Sequence, residues 1–163
     1  MKKFLSVLLS VTLLLTLAAC GGKGNDTPDR EAPDLNQYYE DFMAALGEGN
    51  QPAMMDVEAD YIAQFYPGLE TYGLKQSVLK MAMISAVAYE FALVELEDAS
   101  HAREVADIFQ ARIDAQVQGG AMYPMTVEAW EKAKVITNGS VVALICAGEE
   151  QDQAVEAFNK LFA

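Results

Sequence analysis

The chain has little with which to do side-chain chemistry. It holds one histidine, one tryptophan and two cysteines in 163 residues. GxSxG, HExxH and glycine-rich phosphate loops are all missing, which removes the nucleophile elbow, the common zinc-protease helix and the backbone cradle for nucleotide phosphates. Basic residues are also scarce: 11 Lys and Arg stand against 24 Asp and Glu, a net charge of −13. So acidic a surface repels nucleic-acid phosphates and anionic lipid headgroups. Nucleic acid is therefore excluded as a partner, and the folded part is expected to stand off the bilayer. No apolar run reaches the roughly 20 residues of a membrane-spanning helix.

The longest apolar stretch is residues 4–19, behind Met1-Lys2-Lys3 and closing on Leu17-Ala18-Ala19-Cys20. A positive start, a compact apolar body and small residues before a cut are the three parts of a cleaved leader. The closing residues resemble the lipobox of bacterial lipoproteins, with Leu17 at the apolar position and Ala18 and Ala19 at the small ones. That resemblance implies cleavage before Cys20 and a diacylglycerol on its sulfur. Two acyl chains anchor stably because each buried methylene contributes about 0.8 kcal/mol. Residues 1–19 are thus read as a signal peptide, 20–33 as lipidated cysteine plus tether, and 34–163 as one domain. The expected location is the extracytoplasmic face of the cell membrane, touched through the lipid anchor only. Loss of Lys2 and Lys3 takes the net charge from −13 to −15. Residues 21–33 hold no aliphatic or aromatic side chain except Ala32, the composition of a tether. With Cys20 spent on lipid, Cys146 has no disulfide partner, and its apolar surroundings predict a buried small hydrophobe rather than a reactive thiol.

The domain reads as alternating helical and extended segments. Leu35, Tyr38, Tyr39, Phe42, Met43 and Leu46 make a helical stripe, with Asp34 and Gln37 resembling a capping box. Met54, Val57, Tyr61, Ile62 and Phe65 suggest a second helix. Residues 87–96 read as a strand, with 78–84 as its hairpin partner or, alternatively, a helix. Residues 102–117 form a helix with Val105, Ile108, Phe109, Ile113 and Val117 inward, and 127–134 a shorter one. Asn138-Gly139 between apolar runs is a hairpin signal, and residues 150–162 close the chain as a helix. The expected class is α+β, a small, mostly antiparallel sheet of two hairpins with helices packed on one face.

Few residues suggest chemistry. Asp56, Glu58 and Asp60 alternate like the start of a calcium loop, but Tyr61 and Pro67 occupy the positions needing Gly and Glu. The acids then read as a solvated helix face. Glu149, Glu150 and Asp152 suit the positive end of the last helix, and Glu95, Glu97 and Asp98 read as surface acids at a strand end. His101 falls in the first turn of its helix with no nucleophile facing it. No catalytic residue, metal site or cofactor is assigned. Arg112 breaks a pattern by falling on the inward stripe, seven residues after Val105. Either its stem packs on the core with its head paired to an acid, or it recognises an anion at a pocket edge with Tyr123, Trp130 and residues 65–67 as aromatic walls.

Residues 65–69 (FYPGL), 109–114 (FQARID), Tyr123-Pro124 followed by Trp130, residues 85–88 and the Asn138-Gly139 turn resemble the lipoproteins of anaerobic Gram-positive bacteria that carry domain of unknown function 4358. The resemblance runs from about Asp34 to the last residue. It implies the anchor and one compact domain, makes Arg112 part of a family motif, and carries no activity. The leading expectation is a lipid-anchored binding or interaction module for an envelope protein partner or a small ligand. The alternatives are a carboxylate-dependent hydrolase, or an accessory subunit of an envelope enzyme complex, and a structural envelope component.

Overall fold

The computed structural model describes residues 32–163. The leader, Cys20 and nearly all of the tether lie outside the described residues. Helix α1 (Leu35–Ala45) starts at Asp34, whose carboxylate accepts from the backbone N–H groups of Asn36 and Gln37. The reciprocal half of a capping box is not made, because the Gln37 amide donates to Asp41 instead (2.8 Å). Strand β1 (Met54–Asp56) and helix α2 (Ala59–Phe65) follow, then β2 (Leu74–Ala82) and β3 (Tyr89–Leu96). Helices α3 (Ala102–Ala115) and α4 (Pro124–Lys132) lead to β4 (Lys134–Asn138), β5 (Val141–Ala147) and α5 (Gln151–Lys160).

The five strands make one antiparallel sheet in the order β1-β2-β3-β5-β4. Both expected hairpins, β2–β3 and β4–β5, are present. β1 is an addition: Met54, read with the second helix, instead pairs with Ala82 at the sheet edge. Its ladder places Asp56 opposite Lys80, and their side chains form an ion pair at 2.6 Å. The tight turn of the second hairpin also sits one residue later than expected. Asn138 pairs with Val141, so the two-residue loop is Gly139-Ser140, with Gly139 at φ +59°. Glycine at the first loop position meets the need for a left-handed residue there.

Helices cover both faces of the sheet, not one. Ala92, Val94 and Leu96 of β3 and Val142, Leu144 and Cys146 of β5 pack against Val105, Phe109 and Ile113 of α3 and Trp130 of α4. The alternate residues Phe91, Leu93, Val141, Ala143 and Ile145 pack against Tyr38 and Phe42 of α1 and Ala154 and Phe158 of α5. The two central strands are therefore buried along their whole length. A strand with both sides covered must be apolar at consecutive positions, which is why β5 shows a continuous run instead of alternation. The Tyr38 hydroxyl donates to the Ala154 carbonyl at 2.8 Å and locks α1 to α5. Among the described residues no helix is long and apolar enough to cross a membrane.

Candidate functional site

Arg112 lies on the inward side of α3, and the acid it meets is Glu90 of β3. Its Nε donates to Glu90 Oε1 at 2.9 Å and its Nη2 to Glu90 Oε2 at 2.7 Å. The Tyr66 hydroxyl donates to the same Oε1 at 2.8 Å. The rings of Phe65 and Trp130 lie 5.1 and 5.5 Å from the guanidinium carbon. Glu90 is only 2% exposed and the Arg112 side chain 13%. Burial by itself would lower the Arg112 pKa, but the hydrogen bonds and charge of Glu90 outweigh it and the net shift is upward. Burial, then the neighbouring Glu90, holds the Tyr66 hydroxyl well above its ordinary value. Two of the guanidinium's donor nitrogens are thus engaged by a carboxylate of the chain itself, in a planar bidentate pair clamped by two rings. This is the paired arrangement that the inward stripe of α3 allowed.

Trp130 is buried beside that pair, whereas Tyr123 is 45% exposed at the start of α4. There Thr126 Oγ1 accepts from the Tyr123 backbone N–H (3.3 Å) and donates to its carbonyl (2.8 Å). Of the three residues read together from the sequence, Trp130 meets Arg112 directly, through its ring.

A substantial concavity lies elsewhere, at the end of the sheet where β3 begins and β5 ends. It is a cleft of about 490 Å³ walled by four separate segments. These are Asn50 and Pro52 from the loop after α1, residues 86–89 leading into β3, the Met125–Lys132 side of α4, and the turn Gly148–Glu150. Its size lies within the range of small-ligand pockets. Tyr89 forms part of the wall, and its hydroxyl donates to Glu150. Burial, then this bond, raises the Tyr89 pKa, so the phenol stays protonated.

The turn that places Glu149 and Glu150 on the cleft depends on two neighbours. Gly148 adopts φ +53°, and a Cβ there would come within 2.9 Å of the Tyr89 ring. Only glycine satisfies both the left-handed backbone and the close approach. Next to it the buried Gln151 side chain accepts from the Ala147 N–H (2.8 Å) and donates to the Ile145 carbonyl (2.9 Å), tying the end of β5 to the start of α5. Glu128, Glu149, Glu150 and Lys132 are the ionisable side chains of the lining apart from Tyr89. No sequence pattern joins these segments; the pairing of Tyr89 with Ala147 and the Tyr89–Glu150 bond bring the second and fourth together.

The other candidates fall apart in space or into the core. Asp56 lies on β1, Glu58 precedes α2, and Asp60 lies in its first turn. Among the described residues no group of three His, Cys, Asp or Glu is placed to hold a metal ion. Glu95 is not a surface acid: it is 7% exposed, accepts from the Gln76 amide at 2.7 Å and lies 3.4 Å from Lys75 Nζ. His101 lies 3.9 Å from Glu104, and its ring centroid is 5.2 Å from that of Tyr72 at a tilt of 57°. Cys146 is fully buried, and burial, then the charge of Glu90, pushes its thiol up to about 12. A thiol so raised is protonated at neutral pH and unreactive.

Fold and site together define a small α+β domain: an antiparallel sheet flanked by helices, with an ion pair in its core and an open cleft at one end. Residues 48–147 match the family described as domain of unknown function 4358 (DUF4358), and the chain belongs to that family. The match is narrower than the resemblance read from the sequence. It spans all five strands and α2, α3 and α4, and leaves out α1 and α5, the layer on the opposite face. No curated protein and no solved structure matches the chain.

Proposed function

We propose that the protein is a lipid-anchored extracytoplasmic binding module, held to the cell membrane by diacylglycerol on Cys20 and offering the cleft beside Tyr89 to its ligand or partner. The observation that carries the binding half is the cleft: about 490 Å³, with a glycine-dependent turn supporting one wall. The anchoring half rests on the positive start, apolar body and Leu17-Ala18-Ala19-Cys20 close of the leader. A second reading, a carboxylate-dependent hydrolase, draws on Glu128, Glu149 and Glu150 lining one concavity. General acid–base work would need two of them at a working separation with their proton affinities pushed apart. Binding is preferred because the one polar pair built around the Tyr89 hydroxyl occupies Glu150 with a phenol that stays protonated.

Fractionation of the native host tests the anchoring half. The protein should sediment with membranes and be digested by protease added to wall-stripped cells, while Cys20→Ala should leave an unacylated form. Recovery of the wild-type chain in a protease-protected soluble fraction would contradict it. For the cleft, Glu128→Gln combined with Glu149→Gln should leave folding unchanged, since both side chains are exposed.

A further inference from the structure

The cleft and the point where the chain enters the domain lie at opposite ends of the sheet. Gln76 Nε2 donates to the Pro33 carbonyl (3.2 Å), and Gln76 Oε1 accepts from the Leu35 N–H (3.1 Å). Gln76 in turn pairs with Glu95 near the far end of β3, while Tyr89 begins that strand at the cleft. The eight residues of β3 put about 20–25 Å between the two poles. A chain tethered through Pro33 thus carries its cleft on the pole remote from its attachment.

Two kinds of surface meet at that pole. Glu128, Glu149 and Glu150 face a single Lys132, so the lining carries an excess of carboxylates. The same lining is apolar elsewhere: Pro52, Ala86 and Val87 belong to it, with Met125 at the start of α4 71% exposed. An unbranched, exposed methionine suits a partner that must be accommodated in an open groove. An anionic lipid surface is opposed by the carboxylates, and a purely polar cation would leave Met125 and the apolar lining uncovered.

Resting on the binding reading above, we infer that the cleft receives a short amphipathic basic segment of another envelope protein, its lysine or arginine heads on the glutamates and its apolar side chains on Met125 and the apolar lining beside it. Rim charges of this kind steer association and fix partner sign.

The full mature chain in detergent micelles, with ¹³C-labelled methionine methyls, is titrated with a hexapeptide alternating lysine and leucine. Two control hexapeptides replace the lysines by glutamate or by serine. The basic peptide should move the Met125 methyl saturably. Its affinity should fall about tenfold in Glu128→Gln/Glu149→Gln, because that variant cannot form two of the partly screened charge pairs. The glutamate peptide should leave Met125 in place. Equal binding of the serine peptide at Met125 would overturn the basic-segment inference and leave the cleft a binding site. Binding of the lysine peptide with Met125 unmoved would mark general attraction to an acidic surface and overturn it as well. If none of the three peptides moves Met125, the inference and the cleft's place in the binding reading both fall.

Discussion

Arg112 sits where a helix should present an aliphatic side chain, and Glu90 where a central strand should. Each is tolerable only because of the other. Two charges taken out of water are stabilised by a bidentate contact, a third hydrogen bond from Tyr66 and two aromatic faces. Removing one partner strands the other: Arg112→Met should cost about 3–5 kcal/mol in urea unfolding, and Glu90→Leu/Arg112→Met should recover much of that loss. Additive losses in the double variant would contradict the pairing. Arg112 was legible in the sequence as a misfit on a helical stripe. Its partner was not, because Glu90 lies 22 residues away on another element and looks like any polar residue in a strand. Cys146 was legible through its apolar neighbours. Its thiol should stay unlabelled by iodoacetamide in the folded protein and label fully in denaturant; rapid labelling of the native state would refute the burial that raises its pKa.

At the level of elements, local pattern served well wherever one segment decides its own structure. The stripes of α1 and α3 and the turn-bounded apolar runs of β3 and β5 carry their periodicity in plain view. β1 does not: three residues cannot declare a strand, and only pairing with β2 makes one. The cleft was illegible for the same reason at larger scale, being assembled from four segments held by sheet pairing. One of those segments is unusually constrained. Gly148→Ala forces a side chain into left-handed backbone and against the Tyr89 ring. The backbone conformation alone should cost about 1–2 kcal/mol, and the variant should show a lowered thermal midpoint and altered Tyr89 fluorescence. An unchanged midpoint would mean that the turn can reorganise freely.

The molecule as a whole is a sheet enclosed on both faces, and that enclosure has a pH signature. Burial raises the tyrosines Tyr38, Tyr39, Tyr66 and Tyr89 above 10.0 and takes Cys146 from 9.0 to about 12. Each of these groups keeps its proton longer when folded than when unfolded. Their contribution is intact at low pH and is lost as pH rises past the unfolded values, so stability should begin to fall near pH 9 and continue falling through pH 12. Cys146→Ala should flatten the earlier part of that decline in denaturation curves taken at stepped pH. The sequence foretold the α+β class and both hairpins but put the helices on one face. Its cue to the contrary was the unbroken apolar run of β5, which an exposed face would have interrupted. What the folded body does depends on where it is held, and the intact mass of the protein purified from its native membrane addresses that most directly. The predicted result is a chain beginning at Cys20 and carrying the added mass of diacylglycerol. A chain that retains Met1, or begins at Cys20 without lipid, would contradict it.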